Sequence, residues 1–123
     1  MTIDRSSPEE AVFYHKALLI WVNRTISERS VYEAVRYAWK INVYRAATVE
    51  IILAIDRGLV VGAFVASTWL DATAANFPGR KDALGRFGFV GTEAPPDICH
   101  LYIGKRLPDK YRPRGASNPI RYT

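Results

Sequence analysis

The sequence predicts an α+β domain: a small, curved, mixed or mostly antiparallel sheet with one main helix packed against it. Three observations carry this expectation. Two β-branched runs, residues 48–55 (TVEIILAI) and 59–68 (LVVGAFVAST), flank a short turn containing Gly58, which is the pattern of a β-hairpin. Ahead of them Val31, Ala34, Val35 and Ala38 fall on one face at helical spacing. The chain has 123 residues, of which 49% are hydrophobic, enough for one core and therefore one domain.

In chain order, residues 1–16 mix Ser, Pro and acids without a period and are expected to form a mobile start or a short helix from Pro8. Residues 17–24 (ALLIWVNR) are a compact apolar run and read as a buried strand. Ser30 and Glu33 have the spacing of a capping box and predict an amphipathic helix over 28–39. After the hairpin, residues 70–84 mix Asp, Asn, Pro and Gly with Ala and predict a loop with a helical turn. Residues 86–91 (RFGFVG) alternate like a strand, with Gly88 and Gly91 allowing a bulge or a close backbone approach. Residues 92–102 read either as a short helix opened by Pro95 and Pro96 or as a strand near His100, and the helix is favoured. Pro108, Pro113 and Pro119 leave room only for short extended pieces, such as 120–122 on a sheet edge. Residues 17–123 thus form a single domain that ends in a basic segment, 104–123.

That segment holds six Lys or Arg against one Asp, a surplus of five that equals the net charge of the whole chain. A localised positive surface attracts phosphate, because contacts to it release condensed counterions. Lys105, Arg106, Arg112, Arg114 and Arg121 are the candidate cations, and Asn118 a candidate polar contact. A second constellation is aromatic. Trp39 closes the predicted helix and Trp69 the hairpin, so either can wall a pocket in which a base stacks; Lys40 and Arg45 follow Trp39 closely in sequence.

Groups for catalysis are sparse. The chain has two histidines and one cysteine, and Cys99 and His100 are adjacent, a poor arrangement for a nucleophile and its base. Glu50, Asp56 and Asp71 are scattered, and no phosphate-binding loop occurs. A single Cys excludes an intramolecular disulfide and any zinc site built from several cysteines. The apolar stretch 59–69 is too short to span a bilayer, and the start of the chain lacks signal-peptide character. A cytoplasmic protein without a cofactor is the expectation.

The strings GRFGFVG (85–91), YIGKRLP (102–108) and GASNPIRYT (115–123), with VYEAVRYAWKI and AIDRGLVVGAF upstream, resemble a recurring small bacterial module of the PUA-like superfamily, the group that contains ASCH and EVE domains. The resemblance covers residues from about 17 onward. It implies a small curved β-barrel with flanking helices and binding of RNA or of modified DNA bases, in some members beside a restriction nuclease. It also implies Trp39 and Trp69 as pocket walls and the tail as the backbone contact. The function expected is noncatalytic nucleic-acid binding, to RNA or DNA, reading an exposed or modified base. Alternatives are a protein-interaction module, such as an inhibitor or accessory subunit of a nucleic-acid machine, with a nuclease as an example of its protein partner, a small nucleotide-acting enzyme, and a homodimeric structural protein.

Overall fold

The computed structural model describes residues 8–22, 29–111 and 119–123. Among the described residues five strands form one mixed sheet: β1 (Ala17–Trp21), β2 (Ile51–Asp56), β3 (Leu59–Asp71), β4 (Phe87–Glu93) and β5 (Ile120–Tyr122), in the spatial order β4-β3-β2-β1-β5. β1 and β2 run parallel, and every other neighbouring pair is antiparallel. A parallel pair needs a crossover, and the segment between β1 and β2 supplies it with two short helices, α1 (Val31–Val35) and α2 (Val43–Ala46). The third helix, α3 (Pro96–Tyr102), follows β4 and is opened by its prolines, whose fixed φ suits a first helical turn. The α+β expectation therefore holds, but the sheet is open, with β4 and β5 as its two edges, and not closed into a barrel.

The expected main helix over 28–39 is much shorter. Ser30 caps it as anticipated, its hydroxyl accepting from the Glu33 N–H at 3.2 Å. The Glu33 carboxylate, however, does not complete the reciprocal cap. It takes Arg36 at 3.0 Å and Arg80 at 3.2 Å. Ala38 then turns left-handed, at φ 73°, a conformation that a continuing helix cannot contain, and Trp39 instead exchanges backbone hydrogen bonds with Phe87. α2, missed by the sequence reading, is started by the Asn42 side chain, which accepts from the Tyr44 and Arg45 N–H groups. Among the described residues, two short helices, α1 and α2, stand in place of the one main helix.

Both faces of the central strands are covered, which is why β1 and β2 read as unbroken apolar runs. Leu18, Ile20, Ile52, Ala54, Phe64 and Phe89 pack under α1 and α2. Leu19, Leu53, Ile55, Ala63 and Leu107 pack on the opposite face with Tyr102 of α3. The β2–β3 hairpin turns through Arg57 (φ 51°) and Gly58 (φ 80°), the pair of positive φ values that a two-residue turn between twisted strands requires. β5 adds to the outer edge of β1 through Leu18↔Tyr122 and Ile20↔Ile120, as the tail reading anticipated. Residues 8–16 carry no helix. They are tied down through a bridge between Glu10 and Arg106, and Ala11 is buried.

Candidate functional site

β3 outruns β2. The paired residues of these two strands end at Ile52↔Phe64, whereas β3 continues to Asp71 against β4 alone. Over that overhang the edge of β3 that would meet β2 is open. Phe87 and Phe89 direct their hydrogen bonds outward to Trp39 and Arg36, so their alternates Gly88 and Val90 bond to β3, through Leu70 and Thr68. Trp69 lies between these two and turns its peptide groups to the open edge.

A cavity of about 340 Å³ occupies this place, lined by Val43 and Ala46 of α2, by Glu50 ahead of β2, and by residues 66–69 of β3. Its volume is at the lower end of the small-molecule range. A β-bulge governs what enters it. Ala66 pairs with Gly91 and Thr68 with Val90, leaving Ser67 as an extra residue. Unbroken alternation would set Thr68 on the α2 face and Trp69 on the other; the extra residue returns Trp69 to the face of Phe64 and Ala66. Gly91 permits this, since a Cβ there would lie 2.1 Å from the Val65 carbonyl oxygen. Trp69 is half-buried, its ring 5.1 Å from that of Phe89 and inclined by 56°. Glu50 is anchored at the rim: its carboxylate accepts from the Lys16 N–H at 2.7 Å, and its own N–H donates to the Lys16 carbonyl at 2.8 Å.

The structure does not bring the sequence-derived site residues together. Trp69 reaches the cavity, but Trp39 is a core residue, 8% exposed, with its indole N–H donating to the Val35 carbonyl at 2.6 Å. It is therefore removed as a pocket wall. Lys40 is exposed beside it. Arg45 projects from α2 over the Tyr122 ring, 4.0 Å from its centroid. Burial pushes the Tyr122 phenol above its ordinary range, a shift that Arg45 opposes. Lys105 and Arg106 lie at the other end of the sheet, where Arg106 bridges to Leu59, and they are paired with Glu9 and Glu10. Arg121 is exposed on the edge strand β5, opposite Leu19. Arg112, Arg114 and Asn118 lie outside the described residues.

The catalytic candidates are likewise separated: Glu50 and Asp56 stand at opposite ends of β2, Asp71 ends β3, and His100 is on α3. Cys99 and His100 line one shallow cleft with Ile103, but as helical neighbours their side chains diverge. The thiol donates to the Ala94 carbonyl, and burial, aided by Glu93 and Asp97, pushes its pKa up, the reverse of nucleophile activation. Among the described residues no group of three or more His, Cys, Asp or Glu is placed to hold a metal ion, and no helix is long and apolar enough to cross a membrane. Sequence reasoning missed Ser67 and Thr68 as cavity residues, because their place beside it depends on the bulge, which leaves no local signal. It also missed the Glu33–Arg36–Arg80 cluster that clamps the 73–86 loop to α1. Comparisons of the chain with protein-family models, with curated proteins and with solved structures found no match.

Proposed function

We propose that the protein is a noncatalytic nucleic-acid-binding module that takes an exposed base into the cavity beside Trp69. The observation carrying this is the half-buried indole at the rim of a concave site of base-accommodating size. Base–aromatic stacking contributes roughly 1–3 kcal/mol, and a net charge of +5 attracts the backbone. The resemblance to PUA-like modules supports the same reading, because members of that group bind RNA or modified DNA bases; an open sheet is a departure from their barrel. The test is fluorescence anisotropy with labelled single-stranded RNA and DNA. Trp69→Ala should weaken binding about 5- to 100-fold, and Trp69→Phe, which keeps a ring against Phe89, should recover part of it. Trp39→Ala should instead lower stability by roughly 3–5 kcal/mol, since it empties a core position. Unchanged affinity in a folded Trp69→Ala protein would refute the reading.

A protein-interaction module is the second reading, favoured by the open edge of β3. Its peptide groups can pair with an added strand. Salt-insensitive capture of a protein, with no nucleic-acid binding at low salt, would select it.

A further inference from the structure

Lys105 and Arg106 are each matched by an acid, so the basic surplus open to an anion lies elsewhere. Three exposed cations gather around residues 37–40, the segment that follows α1 along the outer edge of β4. The Tyr37 hydroxyl donates to the Lys81 carbonyl and so ties Lys81 to this segment. Arg86 donates through Nη1 to the Ala38 carbonyl at 3.1 Å. Lys40 completes the group: Trp39 and Phe87 exchange backbone hydrogen bonds, and one antiparallel step further sets Lys40 opposite Arg86.

Among the described residues none of the three is in an ion pair. Glu33 is taken by Arg36 and Arg80, and the Asp82 carboxylate accepts from the Ala74 N–H at 2.7 Å. Asp71, opposite Phe87 in the register, forms no ion pair with them either. Like charges set opposite one another repel, and a bound phosphate would relieve that repulsion. The place also suits the cavity. Arg86 precedes β4, and Phe89, the partner of Trp69, is three residues further, about 10 Å along the strand. The group stands at the end and outer edge of the sheet, beyond the cavity itself, where a backbone passes while its base is held inside.

Resting on the nucleic-acid-binding reading above, we infer that Lys40, Lys81 and Arg86 form the phosphate-contacting surface, along which the sugar–phosphate backbone of a single strand runs. Lysine charges on flexible stems follow a backbone without reading its sequence, and Arg86, with one N–H spent on Ala38, keeps the rest of its fork for a phosphate.

The experiment uses the full chain and a labelled ten-residue oligothymidine, with affinity measured from about 50 to 200 mM salt. The triple variant Lys40→Ala, Lys81→Ala, Arg86→Ala should reduce the slope of log affinity against log salt by about two units, the share of three phosphate contacts on a single strand. The double variant Lys40→Ala, Lys81→Ala changes only exposed side chains and should remove more than about one unit with the melting temperature unchanged, so a folding defect at Arg86 cannot imitate the result. A slope unchanged in both variants overturns this assignment. If Trp69→Ala still weakens binding in that case, the base-binding reading survives without it; if the parent protein binds no oligonucleotide, both fail. Leu84, between Lys81 and Arg86 in sequence, is fully exposed, so vesicles rich in phosphatidylserine are the second probe. Capture by them that the triple variant abolishes, with no oligonucleotide bound, would make this surface a membrane contact and overturn the assignment.

Discussion

Glu9 shows how a single ion pair can anchor a chain segment. Its carboxylate is exposed, yet its pKa is held below the ordinary 4.5 by hydrogen bonding to Lys105 and by the charge of that ammonium. A carboxyl that is harder to protonate in the folded state stabilises that state above its ordinary pKa, and the contribution disappears as pH falls through the lower folded value. Glu9→Gln should therefore lower the melting temperature slightly at pH 7, and the difference from the parent should shrink to nothing below the folded pKa. Melting curves from pH 7 to 2.5 check this; a gap that widens in acid would contradict the sign. Trp39 and Trp69 teach a related lesson. Each ends an apolar run in the sequence, and nothing in either neighbourhood says which is enclosed. The answer depends on Ala38, whose left-handed backbone turns Trp39 against β4, and on a bulge one strand away.

At the scale of elements, β3 and β4 are fitted together at Gly91. The Cβ of an alanine there would meet backbone, the Val65 carbonyl at 2.1 Å and the Ala66 Cα at 2.9 Å, and neither can rotate aside. Gly91→Ala should cost roughly 1–3 kcal/mol or more, measurable as a shift of the denaturant midpoint at constant slope. The Gly-rich RFGFVG run announced such a close approach, and the hairpin, the terminal edge strand and the Pro-initiated α3 were all legible from turn residues and β-branched runs. Helix lengths were not. Ser30 and Glu33 signal a start, but Glu33 is drawn to Arg36 and to Arg80, the latter 47 residues away in sequence, and a tertiary ion pair has no local trace. The Asn42 cap of α2 was readable and was overlooked because the preceding helix was extended over the run leading up to it.

For the whole molecule, the charge surplus is less concentrated than the tail suggests. Lys105 and Arg106 are occupied by Glu9 and Glu10, acids nearly a hundred residues upstream. They also stand near Leu59, about 33 Å along β3 from Trp69 at the usual rise per strand residue. Replacing both with Ala should thus change the slope of log affinity against log salt by less than about one unit, although two phosphate contacts would account for nearly two. A measured loss of two units would return these residues to the interface. The basic tail was legible as a charge run, but its partners were not, because pairing depends on where the N-terminal segment docks. The bulge at Ser67 reaches beyond the pocket it shapes. Which side chain the overhang offers to a ligand is decided by parity, the odd or even number of residues separating it from the last shared rung with β2. A single deletion or insertion in this stretch, with every neighbouring residue left unchanged in kind, could exchange an indole for a hydroxyl at the rim. Binding preference in this fold can therefore drift by changes in length alone, and a comparison of related chains that counts only substitutions would miss it.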